Sequence, residues 1–232
     1  MSFLSAIGNM FRDAGLQDIL IESDVVGQGQ IKGVMTGKHY NRSMHCHKVM
    51  SEALHRLRFQ AFLDSVSDEE SANIYSVVSD LLNNFPSEDF QEKLTAEPFS
   101  EILDKYEDFV VQESECNPTF SLWSTYLEMI GILLQFVRAT REGNWELHLS
   151  TMRSMLTWYI GCNRVNYCRY GTAYWLEMKD YKRHIQNHGF SSVACDMTIE
   201  QTLNRDSKTK GGMVGITLNR GAMQRWIIAQ SD

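Results

Sequence analysis

The stretch FSLWSTYLEMIGILLQFVRAT, residues 120–140, decides the fold class. Trp123, Tyr126, Leu127, Ile130, Leu133, Leu134 and Val137 recur at three-and-four spacing, so almost the whole stripe is apolar and predicts a central buried helix. Cys116-Asn117-Pro118 bounds it on one side and Gly143-Asn144 on the other. The chain has only 3 prolines in 232 residues, where average usage gives about 12, so little interrupts long helices on either side.

Upstream, Met44, Val49, Ala53, Leu54, Leu57, Ala61 and Phe62 carry helical spacing over residues 44–66. Ile74, Val77, Val78, Leu81 and Leu82 repeat it over 68–84, where Ser67 followed by Asp68, Glu69 and Glu70 is a natural helix start. Leu94, Phe99, Leu103, Tyr106 and Val110 continue the period over 90–111, with Pro98 opening a helix at its first turn. At the start of the chain, Phe3, Leu4, Ile7, Met10 and Phe11 form the apolar face of one amphipathic helix over residues 3–22. Residues 25–42 hold four glycines and no period, which predicts a connector with a short extended piece at 31–35.

Downstream, Trp145, Leu149, Met152, Met155, Leu156 and Tyr159 predict one helix. Tyr167, Tyr170, Tyr174, Trp175, Met178, Tyr181 and Ile185 predict another, stacked antiparallel on it. After Gly189 the period is lost and Gly211, Gly212, Gly215 and Gly221 dominate. A short helix around 197–203, a Gly-rich loop, and a strand or short helix near 223–229 are expected there. The fold class is mainly α, a helical array of about six to eight helices with a small Gly-rich C-terminal α+β subdomain. Its divisions are 1–42 (N-terminal helix and connector), 43–188 (helical domain) and 189–232 (Gly-rich subdomain).

A hydrophobic fraction of 43% fills a core without staples and excludes disordered or collagen-like chains. Five cysteines (Cys46, Cys116, Cys162, Cys168, Cys195) form no CxxC pair, and the start lacks a basic, signal-like region. Reduced thiols in a soluble intracellular protein, of nucleus or cytoplasm, are therefore expected. The apolar run Met129 to Val137 is read as too short to cross a bilayer.

The net charge of −7 averages two unlike regions. Residues 64–116 hold 15 acidic and 2 basic residues, and the remainder 20 basic and 14 acidic. Such an acidic helical segment is ordinarily a solvated face; its functional alternative is a docking segment for a basic protein partner.

Several clusters carry candidate chemistry. Lys38, Tyr40, Asn41 and Arg42 open a helix, where basic side chains meet a phosphate or merely cap. Gly27, Gly29 and Gly33 imitate a phosphate loop without the strand and Gly-Lys that such a loop needs, so an ordinary loop is expected. His45-Cys46-His47 and His184-x3-His188 hold zinc-type donors. However, His45 and His47 lie about 200° apart on a helix, and HIQNH lacks the glutamate of a zinc protease. Tyr167, Tyr170 and Tyr174, with Arg169, Lys179, Lys182 and Arg183 around them, make either core or a base-stacking surface. Asp196 and Glu200 fall on one face of a helix and can chelate a divalent metal, with Arg205, Lys208, Lys210 and Gly211-Gly212 following. Capping or surface carboxylates are the plainer reading.

Three stretches, residues 11–59, 141–178 and 195–226, carry a resemblance. The last is the most specific: Asp196, three spacers, Glu200, a polar run with Asn204, then Lys208-x2-Gly211-Gly212. Together they resemble the C-terminal part of a multi-copy family of uncharacterised animal proteins that look mobile-element (transposase) derived. The resemblance implies the helical insertion and last acidic motif of an RNase H-like transposase, with residues 43–188 as insertion and Glu200, beside Asp196, as the last acidic position. Mg²⁺ or Mn²⁺ would then serve two-metal phosphodiester chemistry; otherwise no cofactor is implied. Longer relatives carry their early aspartates ahead of the point where this chain begins, and Asp18, Glu22 and Asp24 are weak substitutes. The expected protein is thus DNA-associated and not active alone as a metal-dependent nuclease, with Lys38, Arg42, Arg205, Lys208, Lys210, Arg220 and Arg225 toward nucleic acid. The alternative is an all-helical interaction module docking through its acidic segment. No membrane partner is expected.

Overall fold

The computed structural model describes residues 2–83, 85 and 90–186, and the described elements are helical throughout. The chain is mainly α. The C-terminal subdomain expected over 189–232 lies outside the described residues.

Helix α1 (Ser2–Phe11) buries Phe3, Leu4, Ile7 and Phe11 and leaves Met10 exposed. The single helix expected over 3–22 is interrupted. A wide π-type turn over Arg12–Leu16 holds Gly15 at φ 96°, and α2 (Gln17–Glu22) resumes beyond it. L side chains rarely adopt that φ, so Gly15 supplies the bend that lets both Leu16 and Leu20 be buried.

The connector expected over 25–42, with its extended piece at 31–35, is instead helix α3 (Gln28–Met35). Each glycine in a helix interior costs about 1 kcal/mol relative to alanine, which is why the segment reads as a loop. Ile31, Val34 and Met35 are buried, however, in a helix packed on α1 and on the next helix. Burying an aliphatic side chain contributes about 1.5–3 kcal/mol, enough to outweigh the glycines. The close packing needs small residues. A side chain at Gly8 of α1 would overlap the Met35 carbonyl, and one at Gly33 would overlap the His39 imidazole. Gly37, at φ 67°, then ends the helix, its N–H donating to the Val34 carbonyl at 3.0 Å.

Helix α4 (Tyr40–Ser65) is 26 residues long and begins one turn before the expected Met44. The acidic segment forms α5 (Asp68–Asn83), α6 (Phe90–Thr95) and α7 (Phe99–Cys116). Ser67 Oγ accepts from the Glu70 N–H at 3.3 Å, which opens α5 as its sequence suggests. Pro98 precedes α7 rather than occupying its first turn. Phe62 and Leu63 of α4, Ile74 of α5 and Ile102 of α7 form one buried cluster, flanked by Phe59, Tyr106 and Phe109. Glu70 and Lys105 pair between α5 and α7 in an exposed setting, where an ion pair contributes little.

Helix α8 (Pro118–Glu142) is 25 residues long. Asn117 caps it, Oδ1 accepting from the N–H groups of Thr119 and Phe120 at 3.0 and 3.2 Å. Asn144 caps α9 (Trp145–Gly161) by accepting from Leu147 at 3.1 Å, and α10 (Val165–Gln186) packs along α9. Trp145 and Leu149 are buried there against Trp175 and Met178, and the Trp175 indole N–H donates to the Leu149 carbonyl at 2.9 Å. Packing resolves the chain into two compact units, Met1–Gly131 and Ile132–Asp232, with the division inside α8.

The α1–α3 contact is testable by urea unfolding. Gly8→Ala is expected to cost about 1–3 kcal/mol, since backbone must move to admit the methyl group. Gly29→Ala, on α3 with nothing near its Cβ position, is expected to gain about 0.4–1 kcal/mol. Equal stability for Gly8→Ala and the parent would contradict the close packing.

Candidate functional site

Of the residues singled out for nucleic acid, Lys38 and Arg42 are described. Both are exposed, Lys38 in the turn before α4 and Arg42 in its first turn. His39 occupies the cap position of α4 without a side-chain cap bond. The positive field of Arg42 reaches Cys46 one turn on, where it opposes the stronger effect of burial, which pushes the thiol up. Gly29 and Gly33 belong to helix α3, so they form neither a phosphate loop nor an ordinary one. Asp196, Glu200, Arg205, Lys208, Lys210, Arg220, Arg225 and His188 lie outside the described residues, as do the side chains of Lys182, Arg183 and His184. Asp18, Glu22 and Asp24 are exposed at or beside α2. Among the described residues no three His, Cys, Asp or Glu side chains are grouped to hold a metal ion.

The His45-Cys46-His47 triplet is split by the helix it sits on. His45 faces solvent, while Cys46 and His47 are buried. His47 Nδ1 lies 2.8 Å from the Tyr126 hydroxyl of α8. Tyr126 also meets Phe11 and Trp123 edge-on, with ring centroids 5.1 and 5.7 Å away, so α1, α4 and α8 converge on one aromatic cluster. Burial drives the His47 value down to about 4 and the Tyr126 value up, the latter helped by Cys46. At neutral pH both groups are uncharged. His47 Nε2 has no hydrogen-bond partner among the described residues. With His47 at 1% and Tyr126 at 0% exposure, no substrate reaches either group. The pair is a clasp inside the protein, not a catalytic dyad.

The aromatic stripe of α10 divides differently from a core stripe. Tyr174 is half-buried and its hydroxyl lies 3.3 Å from His148 Nε2. Tyr167 and Tyr170, by contrast, are 49% and 70% exposed. Tyr167 stacks on the buried Tyr159, with ring centroids 5.2 Å apart and planes at 22°. Arg169 and Lys179 are exposed on the same helix, and Lys179 sits 5.2 Å from the Trp175 ring centre. Core packing, the ordinary reading of such a stripe, fails at Tyr167 and Tyr170 because, among the described residues, α9 covers one side of α10 and these two rings lie largely outside that contact.

Among the described residues, Cys46, Cys116 and Cys168 are free thiols. Helix α8 has an 18-residue window of mean hydropathy 1.3 and is, by length and composition alone, long and apolar enough to cross a membrane. Counting only Met129 to Val137 misses this because the charged residues around that run are few. Tyr126, Leu127, Met129, Ile130 and Leu133 of α8 are nevertheless buried in the protein.

These features define a mainly α-helical protein with a buried aromatic–imidazole clasp and an exposed aromatic–basic helix. The chain belongs to the family described as a domain of unknown function (DUF8702), whose profile matches residues 1–232. No curated protein and no solved structure matches it.

Burial of neutral His47 has a pH consequence. The unfolded chain takes up a proton near 6.5, which the folded protein withholds until about 4. Stability is therefore full above that window and is lost as pH falls through it, by about 3 kcal/mol in total. Denaturant unfolding across this range is expected to show the loss. His47→Gln should remove this part of the slope, and exposed His45→Gln should not; an unchanged slope in His47→Gln would contradict the assignment.

Proposed function

We propose that the chain is a DNA-associated helical scaffold of mobile-element origin, catalytically incomplete by itself, acting inside the cell and without a membrane partner. The observation that carries this reading is the exposure of Tyr167 and Tyr170 on the helix that also presents Arg169 and Lys179. Exposed aromatic rings offer bases a stacking platform, and neighbouring cations hold the backbone phosphates. Lys38 and Arg42, exposed at the start of α4, supply further cations. Within the same reading, residues 189–232 form a small Gly-rich α+β subdomain contributing Arg205, Lys208, Lys210, Arg220 and Arg225. Asp196 and Glu200 would be its ligands for Mg²⁺ or Mn²⁺ if a nuclease step occurs.

A second reading rests on α5 and α7, whose apolar faces are used in their own core while Asp68, Glu69, Glu101, Asp104, Glu107 and Asp108 are exposed. Such a surface suits a basic protein partner.

A salt series of single-stranded DNA binding separates the two. Under the first reading log K falls linearly with log salt concentration. Arg169→Ala should lower that slope by about 1, whereas Tyr170→Ala should weaken binding by about 1–3 kcal/mol with the slope unchanged. A flat series, together with salt-dependent capture of a basic peptide, would move the function to the acidic helices.

A further inference from the structure

Arg58 of α4 is half-buried and forms no ion pair with any described residue. Its Nε donates to the Tyr106 hydroxyl at 2.7 Å, and its guanidinium carbon lies 5.4 Å from the centre of the same ring. Nη2 makes only a long contact, 3.5 Å, to His55 Nδ1. The guanidinium has five donors in a fixed fork, and beyond these contacts no further partner for it is seen among the described residues, while Arg58 lines the space beside it. Burial, and then the charge of Arg58, hold the His55 imidazole below its ordinary value, so no cationic neighbour crowds the fork.

That space is a cleft with two unlike halves. One, of about 250 Å³, is walled by Leu54, Leu57 and Ala61 of α4 and by Phe120, Trp123 and Leu127 of α8. The other, of about 520 Å³, is lined by Ser114 of α7 and by Ser121, Ser124, Thr125 and Glu128 of α8. Arg58, Ser124 and Leu127 line both, so the guanidinium stands where the apolar half meets the polar one. Leu57, in the apolar wall, is 67% exposed, which keeps the cleft open to solvent.

We propose that this cleft binds a small amphipathic carboxylic acid, its carboxylate on the Arg58 fork and its apolar body between α4 and α8. A planar carboxylate matches the two parallel N–H groups of the outer guanidinium edge. Among the residues that line the two halves, Arg58 is the one Lys or Arg and Glu128 the one carboxylate, a balance that suits a single negative charge held on Arg58 better than a dianion such as a phosphate monoester. The apolar half sets the tail: it offers Leu, Ala, Phe and Trp surface, with few convergent polar groups, as small-molecule sites do. Ser121 and Ser124 line the polar half and offer hydroxyl donors to a carboxylate there.

Isothermal titration of the full chain with decanoate and with decanol tests the assignment. Decanoate is expected to bind the parent, and Arg58→Gln to weaken it at least tenfold. Decanol binding should change less than twofold in the same variant, which also reports that the cleft is still folded. Ala61→Trp, which fills the apolar half, should weaken both probes. Equal decanoate affinity in Arg58→Gln and the parent, or no decanoate binding by the parent, would overturn the proposal. So would tighter binding of a hydrophobic tripeptide with a free C-terminus, which would give the site to a peptide end instead of a small acid.

Discussion

The contact between His47 and Tyr126 is the constraint on which the rest of the N-terminal unit depends. It joins side chains 79 residues apart in sequence at 2.8 Å, and it lies where Phe11 of α1 and Trp123 of α8 also meet Tyr126. Burying an imidazole and a phenol is unfavourable unless they bond to each other, and a one-sided loss leaves a buried polar atom unpaired. Only one register of α4 against α8 makes the bond. Arg58 lies 11 residues beyond His47, about three turns along α4, and Ser124 and Leu127 flank Tyr126 on α8. The register set by the clasp is therefore what brings Arg58, Ser124 and Leu127 around one cleft.

Charge is distributed with the same economy. The acidic residues of α5 and α7 are exposed, while the apolar faces of those helices close on Phe62 and Leu63 of α4. The acidic segment is thus both a packed part of the first unit and a surface of one sign. The second unit presents the opposite character on α10, where Arg169 and Lys179 accompany exposed tyrosines. A net charge of −7 conceals this contrast. It is the contrast, not the sum, that bears on what the protein touches.

Much of the fold was legible because its helices carry uninterrupted apolar periods and explicit caps. The stripe of α8, the Asn117-Pro118 junction, the Ser67 start of α5 and the Gly143-Asn144 stop are all visible as residue types at fixed spacing. What escaped reading depends on tertiary contact. Helix α3 looks like a loop because four glycines outweigh Ile31, Val34 and Met35 until α1 and α4 cover those three side chains. Gly15 breaks the first helix although the apolar period runs on through it, since periodicity does not report a positive φ. The candidate sites were less legible still. His47 reads as a metal donor beside Cys46, and nothing in its neighbourhood names Tyr126 as its partner. Arg58 is one of two arginines in His55-Arg56-Leu57-Arg58, and only its place between Tyr106 and two half-cavities distinguishes it. Tyr167 and Tyr170 have the spacing of core residues, and periodicity cannot tell a face covered by a neighbouring helix from one left open.

The imidazole titration of His47, followed by its assigned nitrogen resonances in the folded full-length chain, tests the clasp most directly. A ring held neutral inside the aromatic cluster should keep its neutral signals as pH falls from about 7 and change only near 4. A titration centred on 6.5, the ordinary imidazole value, would place His47 in water, and the α4–α8 register argued from it would not stand.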